Sequence, residues 1–457
     1  MSGLPPAFSY YINSLGSGIE RSSVRLVADN GESAGSNSSI TFTLPDNAVV
    51  DLNSIQFTAK ISLKNAVGAN TYVAVPQAHC LFRSVQWSLN GNVVSGQSNQ
   101  SFGQTYEMLR RATTSEDDAF SRLSEYADVP VADSDGLFQA SKGWVAGTGA
   151  GTGKYIQFND FMGIQRSVNS GAWDCSVAGT TRLHLYLESD RIMAWGAEVA
   201  GQNVDWQLSN IELRIDVLRI PPEIDAIVAQ RLASGASLDT CFPEYYAQIS
   251  SADANVRCSV ATNSLDAIMF APLQPSYLNA TRLTSDANGV VAGANQKYGA
   301  DFCKFNLQTA GGADVAVGNE TLKYNWTIGG KTLPASGATR VEQGLEYTKD
   351  CFSRGVGNHN LLYRGVLNNA GNANQLALSY SRENALRNNT IVAHKLCLTA
   401  PAHETAERTL TGQNTQGASS TISLQTQNFY NAGYLLIVAQ TSAVMSMMAG
   451  QQVQVQY

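Results

Sequence analysis

The chain has 457 residues, about three times a typical domain length of roughly 150, so more than one domain is expected. Only 15% of residues are Asp, Glu, Lys or Arg while 44% are apolar, which excludes both a charge-rich disordered chain and a Glu/Lys-dense coiled coil. A net charge of −7 with no Lys/Arg-rich arm excludes an electrostatic polyanion binder.

Residues 1–37 are read as an amino-terminal arm, in which the paired Tyr10 and Tyr11 are candidates for contacting a partner. Period-two alternation then begins. Ile40, Phe42 and Leu44 alternate with polar residues, and so do Ile55, Phe57, Ala59, Ile61 and Leu63, which places the apolar side chains on one face of a strand. Val85, Trp87 and Leu89 continue the pattern and run into Asn90-Gly91, the favoured pair for a two-residue hairpin because both positions must tolerate positive φ. Phe102, Tyr106 and Leu109, spaced by four and three, predict a helix from Phe102 to Arg111, and Ser115 before Glu116, Asp117 and Asp118 predicts the cap of a second short one.

The glycine-rich stretch 146–154 fails as a phosphate loop, since Lys154 is followed by Tyr155 where a Ser or Thr is needed, and reads as a surface loop. Strands follow at Leu183, Leu185 and Leu187, then at Ile211, Leu213, Ile215 and Val217. Such one-sided strands imply antiparallel sheets over a shared core. Pro221 and Pro222 open the helix EIDAIVAQRLAS, which stops at Gly235; it is read as a linker across 221–241 between two β domains. Beyond 242, strands are expected at 302–307, 324–328, 376–380, 391–398 and 434–439. After Arg408 no charged residue appears, which reads as a neutral tail that would not repel a neighbouring subunit.

Chemistry finds no foothold. The seven cysteines contain no CxxC pair and the five histidines no ligand spacing, so neither a metal site nor a cofactor is expected. No GxSxG elbow or thiol-enzyme motif is present. The acidic residues Glu116 to Asp118 and Glu342 with Glu346 sit where helix capping and solvation explain them. The opening MSGLPPAFSYYINS lacks the basic start and apolar run of a secretory signal. With an odd number of cysteines, this predicts synthesis in a reducing compartment, and the sequons at Asn37, Asn279, Asn319, Asn325 and Asn388 read as chance. The run YLLIVA at 434–439 is far shorter than the ~20 residues of a membrane span.

The two halves echo one another. Trp87, Gly91, Gln104 and Glu107 reappear as Trp326, Gly330, Gln343 and Glu346 at one common offset without gaps. Each copy runs from an aromatic strand (QWSLNG, NWTIGG) through a tight turn, Asn90-Gly91 or Gly329-Gly330, to a short strand, a loop and a helix holding the shared Glu. This order predicts a duplicated domain, and so an all-β chain of two tandem Greek-key or jelly-roll domains at 38–220 and 242–457.

The block LFRSVQWSLNGNVVSG followed by SFGQTYEMLRR, with the later IELRIDVLRIPPEIDAIVAQ, resembles the double jelly-roll major capsid proteins of tailless double-stranded DNA viruses, in particular polinton-like viruses, virophages and adintoviruses. The resemblance covers the layout of residues 38–457. It implies a structural protein without enzymatic activity, a homotrimer forming a pseudo-hexameric capsomer in an icosahedral virion. Assembly would take place inside the host cell, with neighbouring capsomers, penton and minor capsid proteins, and an internal membrane as candidate partners, and with no sequence-specific nucleic-acid binding. The rival reading is a β-sandwich that binds or cleaves carbohydrate. It requires exposed tryptophans, whereas Trp87 and Trp326 are expected on apolar strand faces.

Overall fold

The computed structural model describes residues 20–64, 73–74, 78–113, 131–132, 138–139, 153–167, 172–189, 192, 194–195, 205–273, 305, 323–335, 337, 339–352, 364–367, 377–380, 390–398, 410–428, 434–450 and 452–457. In the first half, β1 (Glu20–Val27), β2 (Ser39–Thr43), β3 (Val49–Leu63), β4 (Phe82–Leu89), β5 (Asn92–Ser95), β6 (Gly153–Phe158), β7 (Thr181–Leu187) and β8 (Trp206–Arg219) form two antiparallel sheets, ordered β1-β8-β3-β6 and β2-β7-β4-β5. In the second half, β9 (Leu238–Ser251), β10 (Asn255–Ser259), β11 (Leu265–Leu273), β12 (Lys323–Ile328), β13 (Lys331–Leu333), β14 (Val392–Lys395), β15 (Thr421–Gln427) and β16 (Tyr434–Met448) form sheets ordered β9-β16-β11-β14 and β10-β15-β12-β13. The second order is the first with every label advanced by eight. Two sandwiches with this strand order are two tandem jelly rolls.

Alternation dictates the first sandwich. Its interior takes Ile40 and Phe42 from β2, Ile55, Phe57, Ala59 and Ile61 from β3, Val85, Trp87 and Leu89 from β4, and Leu183, Leu185 and Leu187 from β7, all buried. The register aligns the faces, with Leu183 opposite both Phe42 and Trp87. Burying Trp87 and its neighbours contributes ~1.5–3 kcal/mol per large side chain. The second sandwich repeats the arrangement around Ile268, Phe270, Tyr324, Trp326, Ile328, Ile422 and Leu424. Trp87 and Trp326 therefore occupy the same place on equivalent strands.

The hairpins at these strands have the backbone their residues permit. Leu89 pairs with Asn92 around Asn90 (φ 50°) and Gly91 (φ 85°), and Ile328 pairs with Lys331 around Gly329 (φ 54°) and Gly330 (φ 79°). Two successive positive φ values are the signature of the turn whose twist matches that of a β ribbon. Asn90 also ties the turn down: its Oδ1 accepts from the Thr180 N–H at 3.0 Å and its Nδ2 donates to the Ala178 carbonyl at 3.2 Å. A Cβ at Gly91 would meet nothing within 4 Å, so Gly91→Val suffers backbone strain without a clash. It is expected to lower stability by about 1–2 kcal/mol, read as a reduced thermal midpoint, and an unchanged midpoint would contradict this role.

Among the described residues the longer helices that accompany the sheets are α1 (Phe102–Thr113), α2 (Pro222–Ala233) and α3 (Val341–Cys351). α1 and α3 follow equivalent hairpins. α2 joins the sandwiches and carries an exposed Ile227.

Three boundaries differ from those expected. Residues 20–35 are not arm but sheet: β1 pairs with β8 from Glu20↔Arg219 to Val27↔Glu212, and Ser33–Gly35 pairs with the start of β8. Val24 and Leu26 were too few to reveal the alternation there. β9 begins at Leu238, inside the span assigned to the linker. The charge-free carboxy-terminal segment is not a tail either; it supplies β15, β16 and β17 (Gln452–Gln456), with β16 paired to β9 along β9's whole length. Its lack of charge suits β16, whose residues from Leu435 to Ala443 are all buried. The helix expected at Ser115, most of the 146–154 loop and most of the 302–307 strand lie outside the described residues; of the last, Phe305 is described and is buried.

Candidate assembly interface

The two sandwiches treat their equivalent sheets differently. On β11, Ile268 and Phe270 point into the second sandwich while Ala267, Met269, Ala271 and Leu273 belong to the apolar cluster of the first. On β16 the split is Leu435, Ile437 and Ala439 against Leu436 and Val438. This sheet is buried on both faces, and strands of that kind read as continuous apolar runs, as AIMFAPL and YLLIVA do.

The equivalent outer face in the first sandwich is polar and open. Arg21 pairs with Asp51 and, through Nε at 3.1 Å, with Asp216; Arg25 pairs with Glu212 at 2.6 Å. Gln56 donates to Gln157 at 3.2 Å, and Tyr155 stands 60% exposed on the edge strand. Exposed pairs of this type contribute ~0–1 kcal/mol each, so they keep the face soluble more than they hold the fold. A similar contrast separates the helices. In α1, Gln104 and Glu107 are buried, whereas their echoes in α3, Gln343 and Glu346, are exposed alongside Tyr347 and Asp350.

The joint between the sandwiches is built from buried polar side chains. Glu244 of β9 accepts from Ser95 Oγ at 2.6 Å and from the Gly96 N–H at 2.8 Å. The Ala247 N–H donates to the Ser98 carbonyl, and Tyr457 Oη donates to the Val94 carbonyl at 3.0 Å. Arg166 pairs with Asp160 through Nε at 3.0 Å and Nη2 at 2.5 Å, its Nη1 donates to Tyr245 Oη at 3.4 Å, and it lies over the Tyr106 ring of α1. Asp160 beside it holds the guanidinium charged against the cost of burial. Burial pushes the Glu244 carboxyl up to about 7, against the pull of its two hydrogen bonds. Deeper in the first sandwich, Arg110 forks onto Glu107 at 2.9 and 3.0 Å, and His79 Nε2 lies 3.1 Å from the same carboxylate.

The other singled-out residues fall into structural places. Asn90, Gly91, Gly329 and Gly330 sit in hairpin turns; Tyr10 and Tyr11 lie outside the described residues. His184 bridges Thr41 and Ser88 across three strands, at 3.1 and 2.8 Å. His394 lies 2.9 Å from Tyr324 Oη, and burial lowers it to about 4. His359 and His403 are not among the described residues. Among those described, no group of three or more His, Cys, Asp or Glu could hold a metal ion. Trp87, Trp173, Trp206 and Trp326 are all buried, so none of them presents a face to a sugar ring. Reading the sequence missed Glu244, Ser95 and Arg166, and no local pattern flags them; the continuous apolar run of β11 was the available sign of a covered sheet.

No protein-family model matches the sequence, and no curated protein matches it. Solved structures do match in fold. A chain of the PBCV-1 virus capsid aligns with a TM-score of 0.56 at 11% identity, over 96% of this chain and 97% of that one. PBCV-1 VP54, fitted into a reconstruction of the virophage Sputnik, gives the same values. The Faustovirus major capsid protein aligns with a TM-score of 0.56 at 11% identity, over 94% of this chain and 90% of that one. The chain thus shares the double jelly-roll fold with viral capsid proteins over nearly its full length.

Proposed function

We propose that the chain is a major capsid protein of a tailless double-stranded DNA virus, three copies of which close into a pseudo-hexameric capsomer of an icosahedral shell. The observation that carries this reading is the pair of like jelly rolls whose equivalent sheets are covered in one and open in the other. Within the chain, the Ser95–Asn99 loop and Arg166 of the first sandwich meet Glu244, Tyr245 and Ala247 on β9 of the second. The equivalent pair of surfaces, the α3 side of the second sandwich and the outer sheet of the first, makes no such contact with one another among the described residues. A second copy covers both, and a heterologous contact that turns by a third of a circle closes after three chains.

In this reading the protein is structural, with no catalytic residue and no cofactor, and its place is the virion. An obligate ring of this kind buries more than ~2,000 Å² per contact, while contacts between capsomers are individually weak and sum over the lattice. Penton and minor capsid proteins occupy the remaining positions, and the inner surface, without a basic arm, faces a membrane or another protein more readily than bare DNA. Negative-stain electron microscopy of the expressed protein tests the reading. Hexagonal or three-lobed particles are expected, and a field of isolated two-lobed monomers at all concentrations would overturn it.

A further inference from the structure

We propose that Glu244 makes the joint between the two jelly rolls a proton-operated latch, which tightens when this carboxyl is protonated and loosens when it ionises. The carboxyl comes from β9 of the second sandwich and both its hydrogen-bond donors, Ser95 Oγ and the Gly96 N–H, from the first. It is 4% exposed, and among the described residues no Lys, Arg or His pairs with it. A buried carboxylate without a cation is costly, whereas the neutral acid is not.

The site accepts the proton without rearrangement. With Oε2 protonated, its O–H donates to Ser95 Oγ, because a serine hydroxyl serves as donor or acceptor, while Oε1 continues to accept from the Gly96 N–H. The proton comes from solvent and the only change is the direction of one hydrogen bond.

The groups that face Glu244 leave the titration to it. Tyr245 and Tyr246 flank it on β9 and Tyr457 approaches from the carboxy terminus. Burial, followed by the Glu244 charge, pushes the phenols of Tyr246 and Tyr457 up to about 12, and burial also raises Tyr245. Across the sheet, β16 presents Gln440 and Thr441, which do not titrate. From the first sandwich, the Arg166–Asp160 pair reaches Tyr245 and is internally neutral.

The folded carboxyl sits at about 7 against 4.5 for the free group. The folded chain therefore holds the proton more tightly than the unfolded one. Its contribution to docking is full below 4.5, declines as pH rises to 7, and is absent above. His394 and His184, both lowered by burial, act in the opposite sense, so the latch is read as a difference between variants. Mild acid thus grips this joint, the reverse of an acid-triggered opening. The inference concerns the single chain and stands whether or not it assembles into a shell.

Glu244→Gln tests it, since the amide keeps both hydrogen bonds and carries no charge at any pH. Urea unfolding of the full chain should show the variant gaining on the wild type by roughly a hundred-fold in the folding equilibrium between pH 5 and pH 8.5. A gap that is constant, or that grows toward acid, would overturn the proposal. Should the variant not fold, hydrogen–deuterium exchange of the wild-type segments 92–101 and 241–250, corrected for intrinsic rates, decides the matter. Protection that falls above pH 7 is the expected result, and protection that is flat or rises refutes the latch.

Discussion

Glu107→Ala is expected to destabilise the first jelly roll by about 3–5 kcal/mol, the cost of leaving buried charge without its partner. Glu107 is fully buried, takes both arms of the Arg110 guanidinium and lies within reach of His79. Removing it takes the shared carboxylate away from Arg110, 7% exposed, and from His79, whose ring lies 4.9 Å from that of Tyr106. The matching substitution in the second jelly roll, Glu346→Ala, removes an exposed side chain from the equivalent helix and should change stability by less than ~0.5 kcal/mol. Urea midpoints of the two variants check the contrast, with exchange of the α1 amides assigning the loss to the first sandwich. Equal effects would mean that the two copies use this Glu in the same way.

Gly96→Ala is the second large effect. Gly96 has φ 86°, and a Cβ there would overlap the carbonyl oxygen of Val85, a backbone atom of β4 held in register with Leu185 of β7. The same residue donates its N–H to Glu244, so displacement also opens the joint between the sandwiches. A loss above ~3 kcal/mol or failure to accumulate as folded protein is expected. Gly91→Ala, equally positive in φ but facing open space, should cost only about 1 kcal/mol. Circular dichroism melts of the pair separate steric overlap from backbone strain; a Gly96→Ala protein melting with Gly91→Ala would show that Val85 yields.

Strands with one wet face were legible residue by residue. Ile55 to Ile61 alternate without error because each second side chain meets solvent at least in part, and the linker helix declares itself through Pro222 and Gly235. The echo of Trp87 in Trp326 located equivalent strands because a tight turn and a buried indole each tolerate few substitutes. What stayed hidden depends on the second layer of contact. β1 carries only Val24 and Leu26 inward, too short a pattern to separate from an arm. β11 from Ala267 and the first half of β16 are apolar on both faces, so alternation does not say which face a second layer covers, and the covering partner becomes visible only when the sandwiches are seen together. Glu244, Ser95 and Arg166 are brought together from distant parts of the chain by that docking; nothing near any of them in sequence announces the meeting. The different fates of Glu107 and Glu346, identical in motif, have the same origin.

The account's central claim is that two like jelly rolls leave one sheet and one helix face to be matched by further copies. Light scattering coupled to size exclusion measures this directly. The account predicts a stable species at three times the 48.9 kDa of the chain. A wild-type protein that elutes as a monomer throughout the micromolar range would contradict it.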